Sequence, residues 1–305
     1  MAFKIACVGG LTLDWLERGG VRRGPYPGGN ALYSAVGVWL TGACPVIVAS
    51  VGHDYPRSFL GDIEKAGIAT NWLRTSAVNS RHMLLKEIRG QRVLQFLDSA
   101  DPKSVMEIQA SEMPSEEIDG AHICGAGFTR QLAVLQEFKR HNIPTSLDLI
   151  FVAGEIEPTL DEVRLLSRHT DVFLPSFSEV KRMLHSATST HALRKLRAQM
   201  TDIAVLRLGA AGSLGCQGDH LIFVPAVSCA VVDTTGAGDA YCGAFQAKWV
   251  ETGDIRTAMT WGAAAASVVI EDVGAMHALA PDARCRTQIR ADLTMNAFLA
   301  TSVDS

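Results

Sequence analysis

The sequence contains no Gly-x-x-x-x-Gly-Lys-Ser/Thr segment, which excludes the ordinary P-loop as a phosphate-binding device. It has no Cys-x-x-Cys pair and no cysteine at zinc spacing from a histidine. Its seven cysteines (Cys7, Cys44, Cys124, Cys216, Cys229, Cys242, Cys285) are scattered and odd in number. Most lie in apolar runs, where a free thiol behaves as a small core residue, and the expected compartment is a reducing cytoplasm. No apolar run is long enough to span a bilayer. The apolar part of Met1 to Gly10 is too short for a signal peptide and reads as a first strand. A basic excess is also missing: Lys and Arg number 28 against 32 Asp and Glu, a formal charge of −4. That balance argues against nucleic-acid and membrane-surface partners. There is no internal repeat and no low-complexity tract.

What is present is a large apolar fraction, 48% of 305 residues, enough for one sizeable core. The length suits a single α/β unit. The most informative stretch is Asp233-Thr234-Thr235-Gly236-Ala237-Gly238-Asp239-Ala240. It follows β-like runs at Leu221 to Val227 and Val231-Val232, and it precedes a small-residue helix pattern from Ala240 to Ala247. A glycine-rich turn opening into a helix presents unpartnered amides and partial positive charge, which is an anion site. Asp239 stands at its mouth. By itself that acid reads as an N-cap. Beside a phosphate, the task that suits it is taking a proton from an attacking hydroxyl.

Along the chain, Phe3 to Val8 is a strand, and Asp14 follows it where open α/β sheets bind ligands. Gly28-Gly29-Asn30-Ala31 is a second glycine-rich entry to a helix, running to Leu40, with Asn30 readable as its cap. Cys44 to Val51 reads as a buried parallel strand. Asn71 to Thr75, Arg81 to Glu87 and Arg92 to Leu97 are short β-like runs, the last two joined by a turn at Arg89-Gly90-Gln91. They predict a small sheet projecting from the main body. Regular alternation then returns, with a helix from Thr129 to His141 and strands at Ile143 to Ile150 and Asp171 to Pro175. Gly125-Ala126-Gly127 is no dinucleotide fingerprint, because position 130 is Arg. Ser176 with Glu179 reads as a capping box. Arg207 precedes a Gly209 to Gly212 turn, and an Ala-rich helix from Ile255 leads to Gly274.

The Asp233 to Asp239 segment closely resembles the second signature, D-T-x-G-A-G-D, of the ribokinase-like (PfkB) carbohydrate kinases. Gly28 to Ala31 resembles the first. The resemblance covers nearly the whole chain. It implies a single ribokinase-like α/β domain over 1–305, with a mostly parallel central sheet flanked by helices on both faces. It also implies a small β-sheet lid from about 11–27 and 69–98. It implies ATP-dependent phosphorylation of a sugar or sugar-like polyol. Asp239 would be the base, and the Gly236, Ala237 and Gly238 amides the anion hole. Asp14, Gly28, Gly29 and Asn30 would bind the acceptor. Arg207, Gly209, Gly212 and Gly274 would border ATP. Glu179 would organise Mg²⁺ indirectly, although Ser176 stands where the family has Asn. Asp233 and Thr235 match positions that hold K⁺ in many relatives, and lid sheets of this kind pair into homodimers. A nucleoside or inositol kinase is the alternative acceptor class, with Trp15, Tyr33 and Trp72 as an aromatic slot. A non-catalytic sugar- or nucleotide-binding regulator is the alternative of another kind.

Overall fold

The structure, a computed structural model, describes residues 2–88, 91–97, 109–125, 127–149, 158–199, 201–218 and 220–303. The first half runs β1 (Lys4–Val8), β2 (Thr12–Arg18), β3 (Val21–Gly28), α1 (Asn30–Leu40), β4 (Cys44–Gly52), α2 (Arg57–Lys65), β5 (Ala69–Ser76), β6 (Arg81–Ile88) and β7 (Gln91–Phe96). Then come β8 (Gly120–Ile123), α3 (Phe128–Arg140), β9 (Thr145–Leu147), α4 (Leu160–Ser167), β10 (Val172–Phe173), α5 (Phe177–Leu184) and α6 (Ser189–Gln199). The last third holds β11 (Ile203–Arg207), β12 (Ser213–Gln217), β13 (His220–Val224), α7 (Ala237–Thr252), α8 (Ile255–Val269) and α9 (Ala283–Val303).

Nine strands form one sheet in the order β13-β12-β11-β10-β9-β8-β1-β4-β5. From β5 to β11 the pairs are parallel, and β12 and β13 add an antiparallel edge. A second sheet, β3-β2-β6-β7, is antiparallel except for the parallel β2–β6 pair. This is the ribokinase-like architecture, with helices on both faces of the large sheet. One core lies under α1, α2, α7 and α8, and the other under α3 to α6. Phe138, Phe173 and Phe245 are fully buried in these cores, each stabilising the fold by about 1.5–3 kcal/mol.

Sequence and structure differ at β5. The β-like pattern puts Ala69–Ser76 in the small sheet, but the strand pairs with β4 at the edge of the large one, Val48 opposite Trp72. A parallel edge strand is covered on one side only. Its residues are therefore mostly half-buried, and the pattern resembles that of a free-standing antiparallel strand. Val231 and Val232, read as β-like, are exposed loop residues at 60% and 44%. The expected Arg89-Gly90 turn lies outside the described residues.

α7 is buried all round from Ala240 to Ala247, which explains its small side chains. A Cβ on Gly243 would overlap the Ser34 carbonyl of α1, and one on Gly37 would overlap the Ala240 carbonyl of α7. The two helices therefore touch backbone to backbone, with a glycine on each side of the contact.

Candidate active site

α7 is preceded by Gly236 at its N-cap position, whose φ of 73° is the left-handed conformation that favours glycine. No side chain caps the helix. Of its first-turn amides, Ala237 N–H donates to Thr234 O at 3.4 Å within the turn, and those of Gly238 and Asp239 follow it at the end of the helix. Thr235 N–H and Oγ1 both donate to Asp233 Oδ1, at 3.0 and 2.8 Å, and shape the turn before it. The ring of Tyr33 packs over Gly236.

Against this turn stands a cluster of charge drawn from four elements, with Asp148 buried and Arg207, Glu179 and Asp239 half-buried. Arg207 ends β11, Asp148 follows β9, Glu179 is in the first turn of α5, and Asp239 is in the first turn of α7. Arg207 Nη2 lies 2.5 Å from Asp148 Oδ1 and 3.9 Å from Glu179 Oε2. The other oxygen of Asp148 faces the Cys242 thiol at 3.9 Å. The guanidinium also lies against Gly238, where a Cβ would overlap Nη1. The Arg207 amide donates to Pro175 O at 3.0 Å, and Arg207 bridges to Ser176, which joins the end of β11 to the start of α5.

The electrostatics follow from this packing. Burial raises the Asp239 carboxyl to about 6; Arg207 opposes the rise and Glu179 adds to it. Burial likewise pushes Asp148 up, against the draw of Arg207 and with Glu179 and Asp239 adding to it. Burial disfavours the charge on Arg207, but Asp148, Cys242, Glu179 and Asp239 outweigh it and hold the guanidinium charged. Behind the cluster, His122 pairs through Nδ1 with Ser146 Oγ at 2.9 Å, and burial lowers it to about 3, so it is neutral.

These residues do not suit a magnesium ion held by the protein itself. Glu179 closes the expected capping box: Ser176 N–H donates to its Oε2 at 2.8 Å, and its own N–H donates to Ser176 Oγ at 3.3 Å. Asp148 is engaged at both oxygens. Among the described residues no three His, Cys, Asp or Glu side chains are disposed around a metal position. Asp233 is different. It is a buried carboxylate in a tight turn, a hard oxygen donor that suits an alkali cation.

The residues read as acceptor contacts form a second group. Asp14 on β2 is 4% exposed and accepts from Thr12 Oγ1 at 2.5 Å. Gly28 lies directly against its carboxylate, where no side chain fits. Gly29, with φ of 98°, caps α1. Asn30 is the first residue of that helix rather than its cap. Its Oδ1 accepts from Gly10 N–H at 2.7 Å, and its amide lies against Gly125. It ties together the loops after β1 and β8. Tyr55, not singled out from the sequence, is 5% exposed and its hydroxyl has no partner. Burial and the Asp14 charge both raise its ionisation well above the ordinary range. Nothing local marks Tyr55 in the sequence, since the signal is a packing relationship to a strand 41 residues away.

The nucleotide-side expectations are more dispersed. Gly209 and Gly212 bound a single 3-10 turn between β11 and β12, beside Arg207. A Cβ added at Gly274 would come within ordinary contact, 3.8 Å, of Tyr26 on β3. The small sheet also reaches the segment before the α7 turn, since Arg18 Nη2 donates to Val232 O at 2.9 Å. His53 is exposed, as a turn residue.

Comparison with known proteins agrees with this geometry. The family model described as pfkB family carbohydrate kinase matches residues 19–283. An uncharacterized sugar kinase of Archaeoglobus fulgidus is 26% identical over 241 residues, covering 76% of this chain and 93% of its own. A nucleoside kinase of Methanocaldococcus jannaschii is 24% identical over 294 residues, covering 89% and 91%. The crystal structure of aminoimidazole riboside kinase from Salmonella enterica, complexed with aminoimidazole riboside and an ATP analogue, superposes with a TM-score of 0.81. It shares 18% identity and covers 94% of this chain and 99% of that one. The chain belongs to the pfkB family of carbohydrate kinases, ATP-dependent enzymes of ribokinase-like fold.

Proposed function

We propose that this kinase transfers the γ-phosphate of ATP to a hydroxyl of a sugar or sugar-like polyol, with Asp239 as the general base. The observation that carries the reading is the setting of Asp239. Burial leaves it ionised at neutral pH yet more basic than an exposed carboxylate, in the first turn of an uncapped helix. As the acceptor O–H bond breaks, its proton passes to the carboxylate. The acceptor oxygen forms its bond to the γ-phosphorus, and the bond to the β–γ bridging oxygen breaks to release ADP. The Gly236, Ala237 and Gly238 amides stabilise charge on the phosphoryl oxygens. Magnesium enters as the ATP chelate, part of the substrate.

Asp14 would accept hydrogen bonds from the polyol, with Gly28, Gly29, Asn30 and the Tyr55 hydroxyl around it. The small sheet that carries Asp14 would serve as the lid, excluding water as a competing acceptor. Arg207, Gly209, Gly212 and Gly274 would border the nucleotide. Asp233 and Thr235 would hold K⁺ beside the anion hole. A nucleoside acceptor is the weaker reading. Tyr33 covers Gly236, and Trp72 packs into the core beneath α3 to α6 from the large-sheet edge. Neither is left to form a base slot beside Trp15.

The test is ADP release with MgATP across pentoses, hexoses, sugar acids, inositol and nucleosides, run beside Asp239→Asn. Turnover with one acceptor, lost in the variant while ATP still binds, supports the reading. Absence of turnover on every acceptor, with ATP binding intact, would favour a regulator instead.

A further inference from the structure

Asp148 and Glu179 stand on either side of Arg207, with Asp239 near enough to act on all three electrostatically, at a site read as built for a polyphosphate. Left to themselves, the three carboxylates would repel the nucleotide and one another. Two chemistries relieve such a cluster: a divalent cation bridging the carboxylates, or a cation supplied by the chain. Here the second is already in place. Arg207 stands between Asp148 and Glu179, at 2.5 and 3.9 Å, and its backbone is anchored on Pro175. The carboxylates it touches are further engaged by Cys242 and by the Ser176 amide. Magnesium needs near-octahedral oxygen ligands at about 2.0–2.1 Å, and a guanidinium in the same space removes both the ligands and the charge that would attract it. The remaining donors of Arg207 are well disposed. Nη1 lies against Gly238 in the anion hole, and Nε is buried without a partner.

We propose that Arg207 is a built-in cation taking the place of a protein-held divalent ion between Asp148 and Glu179, and that its Nη1 and Nε donors meet the phosphoryl group being transferred. The enzyme then takes metal only as the ATP chelate. Asp148 is a positioning residue, aiming the guanidinium from 59 positions away in the sequence. The inference rests on reading the α7 turn as the phosphoryl site. Its consequence for metal binding can be measured without any turnover.

The first experiment titrates Mn²⁺, as the metal alone, into the whole chain without nucleotide, following free Mn²⁺ by its paramagnetic resonance. The wild type is expected to leave the metal free, and Arg207→Met to bind it through Asp148 and Glu179. Uptake of Mn²⁺ by the wild type that is abolished by Glu179→Gln would overturn the proposal. The second experiment measures rate against total Mg²⁺ at fixed ATP, with the acceptor found active. The wild-type rate should level off once metal matches ATP. A rate that keeps climbing with excess Mg²⁺ in the wild type, and not in Glu179→Gln, would also overturn it. Arg207→Met should lose about 10²–10³-fold in kcat, with partial recovery in excess Mg²⁺ or added guanidinium. Arg207→Lys, which keeps the charge, should retain more activity than Met. An Arg207→Met enzyme as active as the wild type refutes the phosphoryl contact. If Arg207→Met does not fold, the wild-type Mn²⁺ titration decides alone. Failure of the kinase reading itself would appear separately, as no turnover on any acceptor.

Discussion

The ring of Tyr33, in the first turn of α1, fills the space that a side chain at Gly236 would need. The start of α1 thereby covers the turn that opens α7. Gly236→Ala meets both the ring and a φ of 73°. The expected result is a loss of about 1–3 kcal/mol in stability and about 10²-fold in kcat, as the amides shift. Denaturation midpoints and steady-state rates check both. Tyr33→Ala in the same chain should restore part of the stability, since it removes one of the two conflicts.

Asp239→Asn should lower kcat by about 10²–10⁴-fold while calorimetry still records ATP binding. In the wild type, kcat/KM should fall as pH drops through about 6, where the carboxylate takes up its proton. The stability effect has the opposite sense. A carboxyl raised by folding favours the native state below its ordinary value near 3.8, and that contribution is lost as pH rises to about 6. The Asn variant should therefore melt higher than wild type at neutral pH, with the gap closing toward about pH 4.

Tyr55→Phe deletes a hydroxyl that is buried without a partner. Removing an unsatisfied buried group should leave the melting temperature unchanged or raise it. If the hydroxyl meets the acceptor, KM for the acceptor should rise about tenfold, equivalent to one lost hydrogen bond of about 1.4 kcal/mol, with KM for ATP unaltered. An unchanged acceptor KM would remove Tyr55 from the site.

Replacing K⁺ by a bulky organic cation should slow the enzyme, and Asp233→Asn should abolish the difference between the two salts. The measurement is the initial rate at constant ionic strength. A wild type indifferent to the cation would leave Asp233 as a turn residue bonded to Thr235.

The parts of this site that are local in the chain are legible in the sequence itself. The Gly236 to Asp239 turn and the Ser176–Glu179 box each lie within one helical turn, so the sequence places both as helix entries, and the family resemblance supplies the role read for Asp239. Asn30 is half legible: its place at the glycine-rich entry is correct, but its bonds run back to Gly10 instead of capping the helix. The Asp148–Arg207 pair is not legible, because it joins two strand ends brought together only by the order of the sheet. β5 reads as part of the small sheet because covering one face of a strand gives a similar pattern in either sheet. Val231 and Val232 show the converse, apolar residues left exposed in the loop that leads to α7.

The backbone contact between α1 and α7 has a consequence for how this enzyme could change. With Gly37 and Gly243 facing the opposite helix, the pair cannot spread by even one methyl group without breaking its packing. The separation between the Gly28 to Asn30 entry of α1 and the Gly236 to Asp239 entry of α7, the segments proposed to bind acceptor and phosphate, is thus set by a stiff strut. Asp14 hangs instead from strands outside that strut. New acceptors should therefore be reached by rewriting β2, β3, β6 and β7, and grafts of those strands from other members of the family should transplant preference without retuning the chemistry.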